Sequence, residues 1–159
     1  MSNGPTPACS LFQRFPELEA TLARAPLCAL PTPVARAEKR AGELCSGPLW
    51  WKRDEQSSAL YGGNKPRKLE WILGDALARG RTRVITTGAY GTNHGLATAL
   101  FARAHGLACE VVLVPQPVTD LVRARLLELR AAGAFRVYRD PAELFVSLDE
   151  LGIILPVGA

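Results

Sequence analysis

One stretch of the sequence places a lysine where it could do covalent chemistry: Tyr61-Gly62-Gly63-Asn64-Lys65-Pro66-Arg67-Lys68. Pro66 disfavours the helical conformation at Lys65 and suits a helix start at itself. Lys65 is therefore expected at a helix N-terminus. The positive end of the helix dipole and the nearby cations Arg67 and Lys68 favour the free amine there. A free amine is what Schiff-base chemistry with a carbonyl needs. The plainer reading is a solvated lysine in a glycine-rich turn.

A second stretch is Gly88-Ala89-Tyr90-Gly91-Thr92-Asn93-His94-Gly95, between an expected strand and an expected helix. Backbone N–H groups at that helix start could hold a carboxylate or phosphate. Thr92 or Asn93 could instead simply cap the helix. The glycine spacing fits neither a G-x-G-x-x-G dinucleotide loop nor a P-loop. His94 could act as an acid or base, or be structural. His105 precedes Gly106 at a helix end and reads as structural. Lys52, beside Arg53 and Asp54, reads as solvated or paired. Trp50 and Trp51 point to opposite faces of one strand, so at least one is expected in the core.

These groups need elements to position them. Pro16–Ala25 is expected as a short helix, followed by a rigid Leu30-Pro31-Thr32-Pro33 segment, a strand at Leu49–Arg53 and a polar loop at Asp54–Asn64. The pattern is cleaner from Pro66. Leu69, Ile72, Leu73, Ala76 and Leu77 form one helical face, ended by Gly80. Strands follow at Arg83–Thr87, Cys109–Val114 and Phe135–Tyr138. Helices alternate with them at Leu96–His105, after Thr119, and from Asp140, where Asp140-Pro141-Ala142-Glu143 is a good start signal. Ile153–Val157 reads as a last strand. Alternating helices and strands imply an α/β fold with an open parallel sheet and flanking helices. In this reading the first 48 residues lack a sheet of their own to pack against, and Ala159 sits at a strand's carboxyl end with no ligand loop after it, as in a fragment of a longer protein.

The composition narrows the function classes. The chain has 159 residues, 48% hydrophobic and 21% charged, enough to bury a core without disulfides or metals. Its 19 Lys and Arg against 15 Asp and Glu give a net charge of +4 with no basic stripe, which argues against nucleic acid. Apolar runs such as Val111–Val114 are strand-length, so no membrane span is expected. Met1–Cys9 lacks the basic and apolar regions of a secretory signal. Cys9, Cys28, Cys45 and Cys109 have no C-x-x-C spacing, so no metal site is expected. They read as reduced thiols of a cytoplasmic protein.

Leu49-Trp50-Trp51-Lys52-Arg53-Asp54, then Gly62-Gly63-Asn64-Lys65-Pro66-Arg67-Lys68-Leu69-Glu70, then Thr92-Asn93-His94 after a strand, resemble one family in order and spacing. It is the D-cysteine desulfhydrase / 1-aminocyclopropane-1-carboxylate deaminase family, whose members are pyridoxal 5'-phosphate enzymes of the tryptophan-synthase-β-like fold. The likeness runs from about Leu30 to Ala159. It implies that Lys65 carries the cofactor as a Schiff base and is the catalytic proton carrier. It implies that Asn93 contacts the cofactor ring hydroxyl, with Asn64 in support. Thr92, where the family usually has serine, would bind the substrate carboxylate with Asn93 and His94.

The same resemblance implies domains. Residues 1–65 would be the N-terminal portion of the large cofactor domain, and 66–159 the small α/β domain, with the rest of the large domain missing. The full-length parent would be a homodimer acting on a small amino acid, D-cysteine-like or 1-aminocyclopropane-1-carboxylate-like. Deamination or β-elimination would give a 2-oxo acid and ammonia. The sequence departs from the family pattern where Gly91 replaces a glutamine, Thr92 a serine, and Gly95-Leu96 a more polar continuation. Three alternatives stay open: another pyridoxal-phosphate lyase or dehydratase of this fold, a truncated chain without catalysis, and an unrelated nucleotide-binding module using the 88–95 loop. Made alone, the chain is expected to aggregate or be only weakly stable.

Overall fold

The computed structural model describes residues 9–37, 47–132 and, as backbone, 134–137. The chain packs as two compact units, Met1–Arg81 and Thr82–Ala159. The helix that begins at Lys65 belongs to the first unit.

In the first unit, α1 (Ser10–Arg14) is followed by a 3-10 turn at Pro16–Ala20. The expected helix to Ala25 is not formed. The reason lies in the backbone donors beyond it. Ala25 N donates to the Glu70 carbonyl at 2.8 Å, and Leu27 N and Cys28 N each donate to Glu70 Oε1 at 2.9 Å. Those N–H groups are satisfied by Glu70 and have no need of a helical ladder.

Strand β1 (Val34–Arg36) pairs antiparallel with β2 (Trp50–Lys52), Ala35 opposite Trp51. Residues 34–36 thus do have a sheet partner, contrary to expectation. Trp50 and Trp51 are 57% and 50% exposed, so neither is core.

Helix α2 (Lys65–Ala78) buries Pro66, Leu69, Glu70, Leu73, Gly74 and Ala76. Ile72 and Leu77, expected on this face, are 51% and 38% exposed. The buried stripe runs through Glu70 and Gly74 instead. Glu70 turns inward to bind Arg24 and the 25–28 backbone. Gly74 lets the segment approach so closely that a Cβ there would lie 2.5 Å from the Ala23 carbonyl oxygen. Gly80, with φ +64°, lies just beyond the helix end.

The second unit alternates β3 (Arg83–Ala89), α3 (Asn93–Ala104), β4 (Ala108–Val114), α4 (Asp120–Ala132) and β5 (Ala134–Val137). The strands are parallel in the order β3-β4-β5. Val111 and Leu113 on β4 are fully buried, and Leu96, Ala97 and Phe101 of α3 and Leu129 of α4 are buried as well. Thr119 Oγ1 accepts from Val122 N at 3.3 Å and caps α4 as expected. The loop expected over 88–95 is shorter. Gly88 and Ala89 end β3, and Asn93–Gly95 already begin α3. The expected helix from Asp140 and strand at Ile153–Val157 lie outside the described residues.

Candidate functional site

Asn64 and Lys65 stand at the head of α2, where Asn64 is the N-cap and Lys65 the first helical residue. The chain reaches this point through a loop fixed at several places. A Cβ on Gly62 would lie 1.8 Å from the Glu55 carbonyl oxygen, so only glycine passes here. Gly63 has φ +99°, a conformation that costs other residues. Gly63 N donates to the Asp54 carbonyl at 2.7 Å, and the fully buried Ser57 donates its hydroxyl to the Gly63 carbonyl at 2.7 Å. Both polar groups of Gly63, two residues before Lys65, are therefore held by the 54–57 segment.

Asp54 also fixes the first turn of α2. Its Oδ1 accepts from Arg67 Nη2 at 2.8 Å and from Thr32 Oγ1 at 3.0 Å. These two donors, Arg67 first, hold its carboxyl below the usual carboxylate range. Lys52 donates its Nζ to the Thr32 carbonyl and hydroxyl. Lys52, read as solvated or paired, is thus engaged as a structural donor. Lys65 is half-buried and has no hydrogen-bond or ion-pair partner among the described residues.

One turn along, Glu70 is 4% exposed. Burial pushes its carboxyl up, but donors from Arg24 and from Cys28 N and Leu27 N outweigh this and hold it below the usual range. Arg24 Nε and Nη2 bind its two oxygens at 2.9 and 3.0 Å, a bidentate pair. A cavity of about 540 Å³ lies beside this pair, lined among others by Arg24, Thr32, Lys52, Arg67, Glu70 and Trp71. Each of its three cations is already engaged, by Glu70, Thr32 or Asp54. Neither Asn64 nor Lys65 lines it.

Thr92, Asn93 and His94 lie in the second unit, at the start of α3 on the carboxyl edge of the parallel sheet. Thr92 is the N-cap, and its Oγ1 accepts from Gly95 N at 3.1 Å. The capping role is therefore real. A hydroxyl that accepts one bond still has its own proton to give. Cβ atoms on Gly88 or Gly95 would lie 2.4 Å from Thr92 Oγ1 and 2.6 Å from Thr92 Cγ2, so these glycines make room for the threonine. Asn93 opens the helix. The His94 carbonyl accepts from Thr98 Oγ1 at 2.8 Å. His105, read as structural, donates from Nδ1 to the Phe101 carbonyl at 2.9 Å.

The structure thus places Asn64 and Lys65 together in one unit, and Thr92, Asn93 and His94 together in the other. Asp54 and Ser57, which hold the lysine loop, escaped the sequence reading. Asp54 was visible at the end of the Trp50–Asp54 string, but Ser57 sits in a polar run with nothing to single it out.

Taken singly, the residues suit pyridoxal phosphate: the first unit offers a primary amine with no acidic partner among the described residues, and the second a helix start carrying a hydroxyl. The chain is 38% identical over 128 residues to nocardicin C-9' epimerase of Nocardia uniformis, covering 80% of this chain and 38% of that protein. It is 39% identical over 105 residues to a D-cysteine desulfhydrase of Salmonella newport, covering 66% of this chain and 29% of that protein. The solved structure of an ACC deaminase homologue superposes with a TM-score of 0.70 at 33% identity, over 93% of this chain and 43% of the other. An aspartate racemase dependent on pyridoxal 5'-phosphate shares the fold alone, at 18% identity and a TM-score of 0.56. The chain spans less than half the length of each of these relatives that it matches by sequence. Residues 26–145 match the family model described as pyridoxal-phosphate dependent enzyme, and the chain belongs to that family.

Proposed function

We propose that the full-length protein catalyses pyridoxal-phosphate-dependent deamination or β-elimination of a small amino acid, releasing a 2-oxo acid and ammonia. The observation that carries this reading is Lys65: an amine without an acidic partner among the described residues, at the head of α2, behind a glycine loop held by Asp54 and Ser57. The names of the D-cysteine desulfhydrase and the ACC deaminase homologue support the substrate class.

Each residue has a task in this reading. Lys65 holds the cofactor through Nζ and, once released, carries the proton at the substrate α-carbon. Asn93 donates to the cofactor ring hydroxyl, and Asn64, at the N-cap position of α2 without a side-chain capping bond, supports the lysine as its neighbour. Thr92 gives its hydroxyl proton to a substrate carboxylate oxygen at the positive end of α3, where His94 lies beside it. Pyridoxal phosphate, when bound, supplies the electron sink for breaking a bond at the α-carbon. We assign residues 1–65 to the large cofactor domain and 66–159 to the small domain of the full-length protein. A cytoplasmic homodimer is the form in which we expect it to work.

A second reading is epimerisation at the α-carbon, favoured by the 38% identity to a protein named as an epimerase. The same lysine would remove a proton, and the proton would return on the other face. A panel of D- and L-amino acids and 1-aminocyclopropane-1-carboxylate, given to the full-length protein with pyridoxal phosphate, separates the two. Release of a 2-oxo acid and ammonia supports the first reading. Loss of optical purity without 2-oxo acid supports the second. Neither change with any substrate, in a protein that retains cofactor, counts against both.

A further inference from the structure

Lys65 stands between two residues that one aspartate holds. Gly63, two places before it, donates its N–H to the Asp54 carbonyl at 2.7 Å. Arg67, two places after it in the first turn of α2, donates Nη2 to Asp54 Oδ1 at 2.8 Å. Main chain and side chain of Asp54 thus bracket the lysine. The carbonyl is itself fixed, since it also accepts from Ser57 N at 3.0 Å and closes the 3-10 turn at Asp54–Gln56. The carboxylate is anchored too, although the Asp54 and Arg67 side chains are 39% and 35% exposed. Its Oδ1 also accepts from Thr32 Oγ1 at 3.0 Å, and Thr32 is 3% exposed. Lys52 can only donate, so the Thr32 hydroxyl accepts from it and gives its one proton to Asp54.

A part-exposed ion pair adds little to stability. Its place beside Lys65 gives it another effect, because a nucleophile gains rate from being held in a reacting geometry. We propose that Asp54 is a positioning residue for Lys65, which through Gly63 and Arg67 sets the amine for covalent capture of pyridoxal phosphate. Capture joins Nζ to the aldehyde carbon of the cofactor, and the aldehyde oxygen leaves as water. Asp75 and Arg79 form a similar pair at 2.8 Å near the far end of the same helix, where no such effect follows. The proposal rests on the reading of Lys65 as the residue that holds the cofactor.

The test uses the full-length protein stripped of cofactor. Pyridoxal phosphate is added, the reaction is stopped with borohydride at intervals, and the pyridoxyl group on Lys65 is counted by mass spectrometry. Asp54→Ala and Arg67→Ala each slow labelling about tenfold, well within the cost of misplacing a reacting group by about an ångström. The double variant is no slower than the slower single one, because the two residues act as one pair. Asp75→Ala labels at the wild-type rate. Asp54→Asn keeps the shape and gives up the charge; it slows labelling in the same direction and carries the test where Asp54→Ala does not fold. A wild-type rate in the Asp54 variant that folds overturns the proposal, even if its thermal midpoint falls, since a merely structural role moves the midpoint alone. Slowing that multiplies in the double variant, or equal slowing in Asp75→Ala, overturns it as well. A wild type that takes no label on Lys65 overturns the function reading instead, and that failure is seen before any variant is made.

Discussion

Lys65 and Lys52 each lie within two residues of an arginine in sequence, yet their surroundings separate them. Lys52 is spent on Thr32, whereas Lys65 has no partner among the described residues. Lys65→Ala is therefore expected to abolish retention of pyridoxal phosphate with little change in thermal midpoint, read by visible absorbance after gel filtration and by calorimetry. Lys52→Ala should do the reverse and lower the midpoint while cofactor is retained. Thr92→Ala removes a cap and should cost about 1 kcal/mol of stability in denaturant unfolding. It should also raise KM for amino acid more than it changes kcat. Lys65, Asn64 and Thr92 were legible because glycine, proline and capping residues mark helix starts within a few positions. Ser57 and Asp54 act on the lysine loop from several residues away, and no local spacing rule reaches that far.

At the scale of elements, the join between α2 and the 24–28 segment rests on Glu70. Removing one partner of a buried ion pair typically costs about 3–5 kcal/mol, so Glu70→Ala should be strongly destabilising in urea unfolding. The pH dependence has a definite sign. Glu70 is held below its ordinary value of 4.5 in the folded protein. Its contribution is complete above that value and is lost as pH falls below it towards the lower folded one. Glu70→Gln should therefore show a smaller loss of thermal midpoint on acidification through this window than the wild type. The same residue explains one misreading of the sequence. A glutamate and a glycine were not counted in the buried stripe of α2, because apolar periodicity cannot see a carboxylate drawn inward by Arg24. Strands β3 and β4 and helices α3 and α4 were legible to within a few residues, since their apolar patterns match their burial. The three-pair register of β1 with β2 was not, because Pro31 and Pro33 on one side conceal a strand only three residues long.

At the scale of the whole molecule, the described surface of each unit exposes several large apolar side chains. Val34, Trp50 and Trp51 in the first unit and Val118, Leu121 and Leu127 in the second are each at least half exposed. Patches of this kind mark surfaces that another layer covers. The 159-residue chain made alone is expected to self-associate in sedimentation velocity, and a single monomeric species would contradict this. The parallel sheet and its flanking helices were legible in the alternation of elements, whereas the compact division after Arg81 was not, because it depends on where α2 packs. No described helix is long and apolar enough to cross a membrane. The central claim is that Lys65 is the residue that holds pyridoxal phosphate. It is tested most directly by loading the full-length protein with the cofactor, reducing with borohydride and mapping the modified peptide by mass spectrometry. The account predicts one pyridoxyl group, on Lys65, and none on Lys52 or Lys68. Modification at another lysine, or none after loading, would contradict it.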